Sequence, residues 1–124
     1  MHRRTFLTAS LATATASLLG APALAASRWG RFEGRTGHIA SGRGVLTDMG
    51  VSLQADFRFD GAPDPRMGLG RGGAFDPATD MGALRRNAGA QLYGLPRTLS
   101  AADYDEIYVW CRKFNVPLAV ARIA

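Results

Sequence analysis

Cys111 is the only cysteine in the sequence, and His38 is the only histidine beyond His2. A thiolate is a nucleophile, a redox group and a soft metal ligand. An imidazole can serve it as base or stand beside it as a second ligand. Cys111 and His38 could therefore form a thiol–imidazole pair for nucleophilic chemistry. They could equally be two ligands to a haem, the cofactor expected if one is bound. A lone cysteine cannot close a disulfide within its own chain. Two accounts of Cys111 stand open at this point. In one it is a redox thiol or cofactor ligand. In the other it is a small hydrophobe buried beside Val109 and Ile107. The neighbouring cations Arg112 and Lys113 would favour its thiolate.

Other chemistries find less support. One cysteine and one histidine do not make a zinc site, and no CxxC or HExxH spacing exists, so no metal is expected. Asp60, Asp64, Asp76 and Asp80 lack the tight alternation of a calcium loop and read as solvated turn carboxylates. "GLGRGG", residues 68–73, is glycine-rich but does not join a strand to a helix as a phosphate-cradling loop must. Met67 could be an axial ligand, although a methionine in a short strand is ordinarily core.

The chain that must position these residues opens "MHRRTFLTASLATATASLLGAPALAAS". A basic pair, Arg3-Arg4, precedes an apolar run and a small-residue site, the anatomy of a secretory signal peptide. The arginines followed by Thr5-Phe6-Leu7 resemble a twin-arginine address. The expected leader is 1–25, with cleavage after Ala25 or, alternatively, Ala23. The expected location is the periplasm or another exported compartment. The remaining residues, 26–124, suit one small domain. Removing Arg3 and Arg4 leaves 13 basic and 10 acidic residues, a net charge of +3. The basic residues are scattered singly, so no nucleic acid partner is expected, and attraction to a membrane surface is weak at most.

Glycines punctuate short apolar runs throughout, which predicts an all-β fold. Roughly seven or eight short strands would make a small single-domain β-sandwich or barrel. "VSLQADFRF" predicts one half-buried strand with Val51, Leu53, Ala55 and Phe57 on one face. "DMG" before it predicts a tight hairpin from Val45-Leu46. A short strand is expected around 66–69, and "GRGGAFDPATDMG" is expected to be loop. "GALRRNAGAQLYGLP" reads as a turn between two short strands, the second at 90–95. Ser100 predicts a capped helical turn. "EIYVWC" predicts a strand with Ile107, Val109 and Cys111 on one face and Tyr108 and Trp110 on the other. "VPLAVARI" predicts a final strand with Val116, Leu118 and Val120 together.

"GAQLYGLP" followed by "VWCRKFNVPLAVARI" resembles the C-terminal half of the DM-thirteen domain family. There a Gly-x-Gln-x-Tyr-x-x-Pro segment leads into Trp-Cys-x-x-Phe-x-Val. The first half, "GRFEGRTGHIASGRGVLTDMGVSLQADFRFDGAPDP", is similar to its Gly-x-Phe, His-x-x-x-Gly and Pro-Asp features. The resemblance spans about residues 28–123. It implies a β-rich extracytoplasmic domain of the kind found beside DOMON domains, with a role in electron transfer. It also implies that Cys111 is the redox or ligand residue, with Trp110 and Phe114 as neighbours. His38, the Gln91/Tyr93 pair and Pro63-Asp64 match the remaining motif positions. The chain departs by lacking a DOMON-like segment and by one residue inserted at Gly61-Ala62-Pro63. A solo domain then needs another exported redox or envelope protein as its partner in trans. The alternative expectation is a non-enzymatic envelope binding or structural module in which Cys111 is buried packing.

Overall fold

Short runs of β-branched and aromatic residues, cut by glycine and asparagine turns, form ten antiparallel strands in a computed structural model that describes residues 27–124. The expected leader and its cleavage points lie outside the described residues. The strands are β1 (Arg28–Gly34), β2 (Ala40–Ser41), β3 (Arg43–Thr47), β4 (Gly50–Leu53), β5 (Arg58–Phe59), β6 (Pro65–Arg71), β7 (Ala74–Asp76), β8 (Gln91–Gly94), β9 (Glu106–Cys111) and β10 (Val116–Arg122). Eight of them join in the order β7-β6-β9-β10-β1-β3-β4-β8, a sheet curled into a half-barrel. β2 and β5 form a separate pair. The expected all-β class is the observed one, and the curled sheet realises its barrel-like form.

The concave face carries the core. Phe57, Leu46, Met67, Leu69, Ile107 and Val109 are fully buried there, and Phe32 meets Phe57 edge to face with centroids 5.3 Å apart. Met67 is thus a core side chain. The hairpin from β3 to β4 turns at Asp48-Met49, as "DMG" predicts, with Thr47 opposite Gly50.

Four local expectations need correction. The run "VSLQADFRF" is not one strand. It turns at Ala55-Asp56, where Phe57 N–H bonds Gln54 O at 3.0 Å, and resumes as β5. Asp56 holds this turn by accepting from Arg43 N–H and its Nε. The turn returns Phe57 to the core while Ala55 is exposed, so the alternation mimics a straight strand. The supposed loop after Leu69 contains a hairpin: β6 runs on to Arg71 and β7 returns, with Gly72 and Gly73 both at positive φ in the tight turn. No strand precedes β8 in its segment; Ala83 and Ala88 make only isolated bridges. The helical turn Ala101–Asp103 exists, but the Ser100 side chain makes no cap bond.

β10 holds a further difference. A bulge between Pro117 and Ala119 shifts its register against β9. An extra residue in one strand moves every later side chain to the opposite face. Ala119, Ala121 and Ile123 therefore join Leu118 in the core cluster, while Val120 lies opposite Tyr108 on the convex face.

Candidate functional site

β9 places Cys111 at its end, on the concave face, opposite Pro65 of β6 and Val116 of β10. The side chain is 1% exposed and belongs to the apolar cluster. Its thiol is nonetheless polar-bonded on two sides. Sγ–H donates to Pro63 O at 3.2 Å, and Phe114 N–H donates to Sγ at 3.4 Å. The second bond follows from the four-residue turn at 112–115, closed by Asn115 N–H to Cys111 O with Asn115 at φ 57°. Asparagine tolerates that left-handed conformation better than most residues.

The first bond comes from the segment Asp60–Asp64, which covers the thiol. Its backbone needs positive φ at Gly61 and at Asp64. Three polar anchors fix it. Asp60 accepts from His38 Nδ1 at 2.9 Å and from Ile39 N–H at 3.0 Å. Pro63 O holds the thiol. Asp64 accepts from Arg112 Nε and Nη2 at 2.9 and 3.3 Å, while Asp64 O accepts from Arg112 N–H. The His38 hydrogen bond holds the Asp60 carboxyl below its usual range.

Cys111 and His38 are thus joined through one short segment, each gripping a different end of it; no hydrogen bond between the two is present among the described residues. A thiol–imidazole pair is not assembled in this arrangement. A haem fits poorly as well. Cys111 is 1% exposed within the apolar cluster and its Sγ holds Pro63 O and Phe114 N–H, so a group as large as a haem bound through sulfur would have to displace its cover. His38 Nδ1 is taken by Asp60, which leaves Nε2.

The other motif residues fall into structural places. Tyr93 Oη bonds Gln91 Oε1 at 2.6 Å and accepts from Arg85 N–H, and Gln91 Nε2 donates to Arg86 O. The pair pins the loop before β8, with the Arg85 guanidinium 4.2 Å from the Tyr93 ring centre. Trp110 points to the convex face, opposite Cys111, as strand alternation requires. The Phe114 ring is exposed, and only its backbone reaches the thiol.

The sequence reading missed the convex face around Trp110. Phe75 of β7 stacks on Trp110 with centroids 4.3 Å apart and planes 6° from parallel. Tyr108 meets both rings edge to face. Glycines make the room: a Cβ on Gly68 would come within 2.5 Å of Phe75, and one on Gly70 within 2.5 Å of Tyr108. Gly68 and Gly70, two apart on one strand face, are the sequence signal for aromatic rings lying across a sheet. Burial and Glu106 together push the Tyr108 phenol up to about 12.

A family model described as "Electron transfer DM13" matches residues 34–123. No curated protein and no solved structure matches the chain.

Proposed function

The chain belongs to the DM13 electron-transfer family, and we propose on that premise that it is a small exported electron-transfer module with Cys111 as its redox group. The leader at 1–25 sends it through a twin-arginine exporter to the periplasm, with cleavage after Ala25. Cys111 loses one electron to a high-potential acceptor in another exported protein. The thiol proton leaves to water as the Asp60–Asp64 segment opens. A donor in trans returns both. No nucleic acid and no firm membrane contact enter this scheme.

The observation that carries the reading is the two-sided polar grip on Sγ inside an apolar cluster. Packing alone needs neither bond. Together they hold the sulfur in one position, and the Phe114 N–H is a donor to the thiolate whenever the proton has left ahead of the electron. The cover keeps a lone thiol from the oxidants of an exported compartment.

Burial of Cys111 at 1% exposure favours a second reading, a non-enzymatic envelope module in which the sulfur only fills space. Titrating the mature protein with a one-electron oxidant separates the two. Mass spectrometry after titration should find Cys111 as the residue that yields the equivalents. A folded protein that consumes the oxidant while Cys111 stays unchanged would remove the thiol scheme.

A further inference from the structure

The convex face carries a hollow of about 490 Å³ lined by Arg66, Phe75, Pro77, Asp80, Trp110, Arg112 and Asn115. That volume lies in the range of small-molecule sites. Its position follows from register. Arg66 is the direct neighbour of Trp110 across β6 and β9, so both project to the same side. Phase along the strand puts Cys111 on the opposite face, and the hollow stands apart from the reading of the thiol.

Its hydrogen-bonding capacity is lopsided. Arginine has five N–H donors. Arg66 spends only Nε, on both oxygens of Asp80 at 3.2 and 3.1 Å. Arg112 spends Nε and one Nη2 hydrogen on Asp64. The Nη1 groups of both arginines and Nη2 of Arg66 have no protein acceptor among the described hydrogen bonds. The Asn115 side-chain amide has no described partner either. Acceptors are fewer, and the one carboxylate in the lining is engaged by Arg66. Asp80 Oδ1 also receives Gly82 N–H at 2.8 Å. Burial works to raise the Asp80 carboxyl, but the bonds from Arg66 and Gly82 outweigh it and hold it below the usual range. It stays an anion committed to Arg66.

The hollow therefore offers unspent planar donors beside a stacked Trp110–Phe75 wall. Guanidinium planes and aromatic faces both prefer flat, conjugated partners. A sugar would bring many hydroxyl donors and no conjugated face, against which the hollow sets only Asn115 Oδ1 and the remaining lone pair of Asp80 Oδ2. We propose that this hollow binds a small planar conjugated ring bearing sp2 oxygen acceptors, with the ring against Trp110 and the oxygens on Arg66 and Arg112. An aromatic carboxylate and a quinone both present such oxygens on a flat frame.

Nitrogen-15 NMR of the mature chain tests this, read at the Trp110 indole N–H and the Arg66 and Asn115 amides. The probes are 4-hydroxybenzoate and tetramethyl-1,4-benzoquinone, set against cyclohexanecarboxylate and maltose. Saturable shifts confined to the hollow are expected with at least one planar conjugated probe, and whichever probe binds identifies the acceptor as carboxylate or quinone. Cyclohexanecarboxylate and maltose should bind at least about tenfold more weakly. Arg66→Gln should weaken the planar probe at least about tenfold, a loss expected when a bond to a charged group is removed. No saturation by either planar probe overturns the proposal. So does equal binding of cyclohexanecarboxylate, preference for maltose, or unchanged affinity in a folded Arg66→Gln. The ligand comparison uses wild-type protein, so it decides the matter even if the variant fails to fold.

Discussion

The thiol of Cys111 donates to the carbonyl oxygen of Pro63, 48 residues earlier in the chain, at 3.2 Å. That bond ties the last residue of β9 to the segment Asp60–Asp64, and the same segment is held by His38 through Asp60 and by Arg112 through Asp64. Access to the sulfur is therefore governed by how often this segment lifts.

The folded protein should react slowly with a thiol reagent such as dithiobisnitrobenzoate and fast when unfolded in urea. Arg112→Ala removes the ion pair to Asp64. Arg112 is 61% exposed, so the pair is well screened. Loss of an exposed pair shifts a local opening equilibrium by at most about fivefold. A rise of that order in the labelling rate is expected, diminishing in high salt. A rate that Arg112→Ala leaves untouched would mean that the thiol is reached by another route.

Cys111→Ala should cost about 1–2 kcal/mol in urea unfolding. A small buried group is deleted, and Pro63 O and Phe114 N–H lose their partner. Cys111→Ser keeps both bonds in outline but puts a hydroxyl among apolar neighbours. A Cys111→Ala protein as stable as wild type would show that the grip on Sγ contributes nothing to folding.

Gly68→Ala and Gly70→Ala should each destabilise the domain by about 1–3 kcal/mol, because the new Cβ drives into Phe75 at 2.5 Å in the first and into Ala74 O at 2.4 Å and Tyr108 at 2.5 Å in the second. The Gly68→Ala loss should shrink in a Phe75→Leu background, which removes the rigid ring. Additive losses in that double mutant would place the strain elsewhere.

The phenols make the alkaline limit. Tyr108 is pushed up to about 12 by burial and by Glu106. Tyr104 is raised by its hydrogen bond to Asp76. A phenol whose folded pKa lies above its unfolded value of 10.0 contributes stability that is complete below pH 10 and lost as pH rises through the folded pKa. The melting temperature should fall between pH 10 and 12, and Tyr108→Phe should flatten that fall. On the acid side the sign reverses. Asp60 is held below its ordinary 3.8, so its contribution is present above that value and fades as pH drops below it.

Much of this was legible in residue order. Alternation in "EIYVWC" placed Cys111 beside Val109 and Ile107 and turned Trp110 away, because period two leaves a buried strand no other choice. Glycine spacing marked an all-β chain. What escaped were features in which one residue changes a register or a long-range contact replaces a local one. The β10 bulge sends Val120 outward without any glycine to announce it. The turn at Ala55-Asp56 hides behind an unbroken alternation. Phe75 lies in a stretch whose glycines read as loop, when two of them form a hairpin turn and Gly68, in the strand before it, makes space for its ring. The bond between Cys111 and Pro63 joins residues that no local pattern relates.

Protein-film voltammetry of the mature protein beside its folded Cys111→Ala variant tests the central claim most directly. The account predicts a one-electron signal in the wild type that disappears in the variant. It also predicts a midpoint that falls with rising pH while the thiol is protonated, since electron and proton leave together. A signal of equal size in both proteins would contradict a redox role for Cys111 and would move the search for the electron-carrying group elsewhere in the domain.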